Sequence, residues 1–132
     1  MQMLTSIKDL PAGPIIELGS GPGFIKEIIP SAKTSETFLI PNLDLVFSGH
    51  HLPFKDKSIS CLLMLDVFHH IPNPSEFLKE AERCLRKGGR IIMVEPFNTS
   101  FGRFFYQNFH HECFDPDSGW EHLEGGPLSG AN

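Results

Sequence analysis

The stretch Pro14-Ile15-Ile16-Glu17-Leu18-Gly19-Ser20-Gly21-Pro22-Gly23 constrains the fold of this chain more than any other. Ile15, Ile16 and Leu18 are apolar, and β-branched residues suit a pleated, packed segment. Three glycines follow at 19, 21 and 23, and behind them runs a helix-like segment, Phe24-Ile25-Lys26-Glu27-Ile28-Ile29. Glycine allows a tight turn and lets a ligand approach the backbone closely. A strand, a glycine turn and a helix N-terminus together make a nucleotide-type binding corner. An ordinary tight turn has the same local signature, so the rest of the chain must decide.

Downstream, strand patterns alternate with helices or crossovers. Leu4, Ile7 and Leu10 have the spacing of a short leading helix, which Pro11-Ala12-Gly13-Pro14 ends. The first strand covers about 14–18 and the next helix about 23–29, stopped by Pro30. Residues 31–37 are short and polar and read as a weak strand ending near Glu36. Leu43-Asp44-Leu45-Val46-Phe47 reads as a third strand, with a turn at Ser48-Gly49. Ile59 to Leu65 is apolar nearly throughout, as a central parallel strand covered on both faces should be. Asn73, Pro74 and Glu76 then form a capping pattern. Phe77, Leu78, Ala81, Cys84 and Leu85 share one helical face. Arg86 and Lys87 fall in its expected last turn and Gly88-Gly89 at its expected stop. Residues 90–96 read as a fifth strand.

This order predicts an α/β fold, a Rossmann-like parallel sheet of about five strands with flanking helices. Ligands in such sheets bind beyond the carboxyl ends of the strands. Those ends carry Gly19 to Gly23, Glu36, Ser48-Gly49, Asp66 to His70 and Glu95 to Asn98. The last third is different. Phe101, Phe104, Phe105 and Phe109 have amphipathic helical spacing, and a turn-rich tail follows from Asp115. The expectation is a single domain over 1–132, with an α/β core in 1–96 and an aromatic helix and irregular tail in 97–132.

Composition narrows the function classes. A net charge of −5 without any Lys/Arg cluster gives nucleic-acid binding no electrostatic support. No apolar run approaches the roughly 20 residues of a membrane span, and the N-terminus lacks the pattern of a signal peptide. Cys61, Cys84 and Cys113 are odd in number and widely spaced, as reduced thiols in a cytoplasmic protein would be.

Four segments resemble class I S-adenosylmethionine-dependent methyltransferases of the small-molecule, type 11 kind. Glu17-Leu18-Gly19-Ser20-Gly21-Pro22-Gly23 resembles the family's E-x-G-x-G-x-G loop. Residues 52–60 (LPFKDKSIS) resemble its L-P-F-x-D-x-S segment, and residues 65–71 (LDVFHHI) the end of its fourth strand. Residues 77–96 resemble its helix, Gly-Gly turn and fifth strand. The glycine spacing also departs from the G-x-G-x-x-G of NAD sites. A carboxylate at Glu17 suits a cofactor carrying a sulfonium and an ammonium better than a pyrophosphate.

The resemblance implies roles for particular residues. The backbone of Gly19, Ser20, Gly21 and Gly23 would pack against the methionine and ribose parts of S-adenosyl-L-methionine. Glu36, 17 positions past Gly19, would accept both ribose hydroxyls. Ser48 and Gly49 would lie near the adenine; Ser48 departs from the family's usual Asp and lacks its charge. Leu65 and Asp66 would line the methionine end, although Asp66 also suits a turn cap.

Methyl transfer is an in-line displacement at carbon, so alignment of the acceptor is the main requirement. A base is needed only where the acceptor nucleophile keeps a proton. His69 and His70 are the candidates, set against a structural role in the turn. His110-His111-Glu112-Cys113 lacks the paired spacing of a zinc site, and no metal is expected. The Phe-rich segment is open to three readings: core packing, a lid over an apolar acceptor, or a membrane-surface helix, the last weakened by sparse cations.

The family pattern has seven strands, and this chain supplies five. The resemblance implies methyl transfer to an unidentified small-molecule acceptor; the alternative is a non-catalytic domain that binds cofactor or a partner. An uncovered fifth strand would expose unpaired backbone groups. The aromatic segment or a second copy, in a homodimer, is expected to cover it.

Overall fold

The computed structural model describes residues 5–95. Their elements run in chain order: β1 (Ile15–Leu18), α1 (Ile25–Ile28), β2 (Lys33–Glu36), β3 (Leu45–Val46), β4 (Ile59–Leu65), a 3-10 turn (Phe68–His70), α2 (Pro74–Cys84) and β5 (Leu85–Val94). The sheet order is β3-β2-β1-β4-β5, and every pairing is parallel. This is the Rossmann-like parallel sheet that the alternating pattern predicts.

β4 is the spine because both of its faces are buried. Leu62 and Met64 join Ile16, Leu18, Leu52 and Phe77 on one face. Cys61 and Leu63 join Ile25, Ile29 and Ala32 on the other, with Ile7 and Leu10 against them. Successive strand residues point to opposite faces, so an apolar run with both faces covered has to be central. α2 supplies Phe77, Ala81 and Cys84 to the first face, all fully buried. Its start follows the capping pattern: the Asn73 Oδ1 accepts from the Glu76 amide at 2.9 Å, and Pro74 occupies the first turn.

Three boundaries differ from the sequence expectation. α1 is shorter than 23–29, because residues 21–24 form a turn in which the Gly23 amide bonds Ser20 O at 2.8 Å. β3 is confined to Leu45–Val46 rather than 43–47, although the Phe47 amide still reaches Glu36 O. The third difference is at α2, which ends at Cys84 and leaves Arg86 and Lys87 in β5. The Lys57 and Ser58 amides take the carbonyls of Arg83 and Cys84, so loop 57–58 stops the helix before the glycines are reached. Gly88 and Gly89 lie inside β5, where β4 and β5 shift register between Ile59 and Cys61. Gly88 has φ +81°, and a Cβ on Gly89 would stand 2.9 Å from Arg86 O. The pair therefore allows a kink within the strand. Thr5 and Ser6 are the helical remnant of the expected leading segment. The Phe-rich stretch 101–109, the tail, Cys113 and the 110–113 segment lie outside the described residues.

Candidate functional site

The strand order reverses between β1 and β4, and a cleft of about 640 Å³ opens at the carboxyl ends of the strands there. Its walls come from each place that topology nominates up to β4: Gly19, Glu36, Ser48, Gly49, Asp66 and His70 all line it. Phe38, Phe47 and Val67 add apolar wall that no motif marks.

The glycine loop is stitched to β2. The Ser20 amide bonds Ser35 O at 3.0 Å, and the Ser35 amide returns to Ser20 Oγ at 3.0 Å. The Ser35 hydroxyl donates to Glu17 O at 2.7 Å. Ser20 is thus a buried strut of the loop, and its hydroxyl is already used. Gly19 sits at φ +63°, and a Cβ there would meet Val67 Cγ2 at 2.4 Å. Glycine is required on both conformational and steric grounds. At Gly21, also at positive φ, a Cβ would meet nothing within 4 Å, which leaves the backbone open on that side.

Glu36 is held at the cleft wall. The Gly21 amide donates to its Oε1 at 2.7 Å, and the Thr37 amide is 3.4 Å from Oε2. A carboxylate has about four acceptor positions, so capacity is left for two hydroxyl donors. Glu17, the last residue but one of β1, stands next to the turn. It is 3% exposed and is not among the lining residues. Burial pushes its carboxyl pKa up; the Ser20 hydroxyl opposes this and the Glu36 charge adds to it. Its Oε2 is buried with no hydrogen-bond partner.

Across the cleft, loop 48–54 is clamped to α2. The Leu52 amide bonds Glu80 Oε2 at 3.1 Å. Arg83 donates to the carbonyls of Leu52 and Phe54 at 3.0 and 2.8 Å. It also pairs with Glu80 at 2.8 Å and Asp56 at 2.9 Å. Hydrogen bonds from Arg83 hold the Glu80 carboxyl down to about 2. These contacts fix the loop that carries Ser48 and Gly49.

The β4 exit forms the third wall. Asp66 has φ +60°, a left-handed backbone that a non-glycine residue adopts at some cost. Its amide is tied to Val94 O at 2.7 Å, while its carboxylate stays exposed. Leu65 is exposed at the strand end and does not line the cleft. His69 turns away to Glu95, with Nδ1 2.6 Å from Oε2. Glu95 Oε1 also accepts from the Val67 amide at 3.1 Å and the Phe68 amide at 2.7 Å. Burial disfavours the ionised Glu95, but these hydrogen bonds prevail and hold its pKa below the usual carboxylate value. His70 lines the cleft, its ring 4.0 Å from that of His69. Asp66, His69 and Glu95 each bring one potential ligand atom to within 4.8 Å of the others.

Several features fit an adenosyl cofactor with a cationic amino-acid tail. Glu36 keeps acceptor capacity at the wall, Glu17 Oε2 is an orphaned buried acceptor, and the Gly21 backbone is open on the side that a Cβ would fill. No helix among the described residues is long and apolar enough to cross a membrane.

Comparison with known proteins agrees with the geometry. A family model described as a methyltransferase domain matches residues 16–93. A 37.1 kDa protein in transposon Tn4556 of Streptomyces fradiae, itself uncharacterised, is 31% identical over 71% of this chain and 33% of its own length. The ubiquinone/menaquinone biosynthesis C-methyltransferase UbiE of Bartonella henselae is 34% identical over 46% of this chain and 24% of its own. A SAM-dependent methyltransferase structure from Thermotoga maritima superposes with a TM-score of 0.61 at 28% identity, covering 80% of this chain and 56% of that one. The chain thus spans about a third or less of these two curated relatives and a little over half of that structure. With the glycine loop, most of the parallel sheet and the cleft-lining residues inside the matched residues, the chain belongs to the methyltransferase domain family and has its class I, Rossmann-like fold.

Proposed function

We propose that this chain binds S-adenosyl-L-methionine in the cleft and transfers its methyl group to a small-molecule acceptor in the cytoplasm. The observation that carries the reading is Glu36, fixed by the Gly21 amide yet with acceptor capacity at the cleft wall. Glu36 would take the ribose hydroxyls. The backbone of Gly19, Gly21 and Gly23 would pack against the methionine and ribose parts, with Gly21 leaving the open side, Gly19 admitting Val67 and Ser20 as the strut that keeps the loop on β2. Ser48 and Gly49 would face the adenine, with Phe38 and Phe47 as apolar wall. Asp66 and the Leu65 backbone would border the methionine end. Glu17 would act from its buried place beside the turn, its unpaired Oε2 favouring a nearby cation. The cofactor, when bound, supplies an activated methyl group on sulfur. The protein has to align the acceptor and exclude competing nucleophiles. Where the acceptor is protonated, His69 or His70 would take that proton.

Transfer of labelled methyl from S-adenosylmethionine to a panel of phenols, quinols and amines tests the activity. Labelled product that depends on Glu36 supports it. Tight S-adenosylhomocysteine binding with no product from any acceptor would favour a binding-only domain instead. A homodimer that covers the outer edge of β5 belongs to the same proposal. Light scattering of the purified chain should then give twice the monomer mass, and a clean monomer would remove that part.

A further inference from the structure

We propose that Glu95 is a positioning residue of the site: it locks His69 into the tautomer with the proton on Nδ1, leaving Nε2 as the basic nitrogen. The inference rests on the methyl-transfer reading above for its purpose, but its geometry stands alone. Three donors of one short loop converge on this carboxylate, namely the Val67 and Phe68 amides on Oε1 and His69 Nδ1 on Oε2. An ionised carboxylate only accepts hydrogen bonds. The two amides are fixed donors, and they favour the ionised form. At 2.6 Å from that carboxylate, Nδ1 has to carry a proton. In the neutral ring the lone pair is then on Nε2. Asp66, the other acid near the ring, is 3.9 Å from Nδ1, outside hydrogen-bond range, and is much more exposed. Glu95 therefore sets the tautomer.

The same contacts explain the place of Glu95 in the fold. β5 delivers it directly beside the β4 exit, where the Asp66 amide is tied to Val94 O. One side chain thereby holds the loop that lines the cleft through Asp66, Val67 and His70 and fixes the ring of the candidate base next to it. The arrangement is a histidine–carboxylate pair in which the carboxylate orients and never exchanges a proton with substrate. The three potential ligand atoms at Asp66, His69 and Glu95 have a competing use as a metal site. However, both Glu95 oxygens are already engaged by loop donors, so the hydrogen-bonded pair accounts for the cluster without an ion.

Nitrogen-15 NMR of the full chain, with histidines labelled and the ring neutral at alkaline pH, reads the tautomer directly. In the native chain His69 should show a protonated Nδ1 and an unprotonated Nε2, with a preference of about tenfold or more, as expected of a hydrogen bond to a charged group. Glu95→Gln should reduce that preference severalfold, and Glu95→Asp should restore part of it. A native His69 protonated on Nε2 would overturn the proposal, as would an unchanged tautomer in a folded Glu95→Gln chain. If that variant does not fold, the native spectrum alone decides. Addition of Mg²⁺ or Zn²⁺ alone should leave the His69 signals in place, and a saturable shift would assign the cluster to metal instead. A correct tautomer without S-adenosylhomocysteine binding would leave the geometry standing and remove the methyl-transfer reading.

Discussion

The two ends of the cleft are built in different ways. The glycine corner between β1 and β2 is made chiefly of backbone: positive-φ glycines, a Ser20–Ser35 stitch and one carboxylate, Glu36, held by a loop amide. The β4–β5 end is made of side chains that come from far apart in sequence, with Glu95 reaching back to Val67, Phe68 and His69. A backbone-built corner tolerates little change in shape. A side-chain-built corner tolerates shape change but depends on charge. The two should therefore fail differently when perturbed.

The largest effect is expected at Gly19. Gly19→Ala pays for a left-handed backbone, about 1–2 kcal/mol, and must also displace Val67, which adds roughly 1–3 kcal/mol. Denaturant melts should show that loss, and S-adenosylhomocysteine binding should disappear. Gly21→Ala is the control, because its Cβ would meet nothing within 4 Å. It should cost only about 1–2 kcal/mol from backbone conformation. Equal losses at the two positions would mean that contact with Val67 does not set the corner.

Glu36→Ala comes next and separates binding from stability. Removing a charged acceptor should weaken S-adenosylhomocysteine binding roughly ten- to hundredfold, from about 1.5–3 kcal/mol per such hydrogen bond. The melting temperature should change little, because Glu36 sits at the cleft wall.

Glu17 should show the opposite pairing. Its folded pKa is raised, so the native state holds its proton more tightly than the unfolded chain does. Stability contributed by the neutral form is present below pH 4.5 and is lost as pH rises through the folded value. Glu17→Gln should therefore stabilise the chain near neutral pH by on the order of 1 kcal/mol. That gain should shrink as pH falls from the raised folded value to 4.5 and be absent below it, while cofactor affinity drops at neutral pH. Melts at several pH values together with binding titrations check both signs.

The smallest effect is expected at the Arg83 clamp, which is partly exposed to solvent and therefore screened. Glu80 has a lowered folded pKa, so its contribution is present above 4.5 and fades as pH falls towards about 2. Arg83→Met should slightly lower the melting temperature at pH 7, and the difference from the native chain should fade across that acidic range. A difference that persists undiminished in strong acid would mean that the bonds from Arg83 to the carbonyls of Leu52 and Phe54, which do not titrate, hold loop 48–54 without help from the Glu80 charge.

How much of this was legible in the sequence follows the same division. The glycine corner depends on residues close in sequence, so the strand and its glycine turn could be read from local pattern, while the role of Glu36 came from the resemblance and its place from strand-end topology. β4 was legible because both of its faces are buried, which leaves an unbroken apolar run. The end of α2 was not, because the carbonyls of Arg83 and Cys84 are taken by loop 57–58, a contact that local propensity does not contain. Gly88-Gly89 looked like a helix stop and is a kink in β5. Glu95 was placed at a strand end by topology, but its pairing with His69 depends on the β4–β5 register, which no local pattern encodes. Glu17 stands in the motif next to the turn, but the fold buries it and leaves it outside the cleft lining, which the motif does not reveal.

Isothermal titration calorimetry of the purified chain with S-adenosylhomocysteine and, separately, with NAD tests the central claim most directly. The cleft and its Glu36 wall predict saturable one-to-one binding of S-adenosylhomocysteine, lost in Glu36→Ala, with no heat from NAD. Binding of NAD in preference, or binding of S-adenosylhomocysteine that is indifferent to Glu36, would contradict the account.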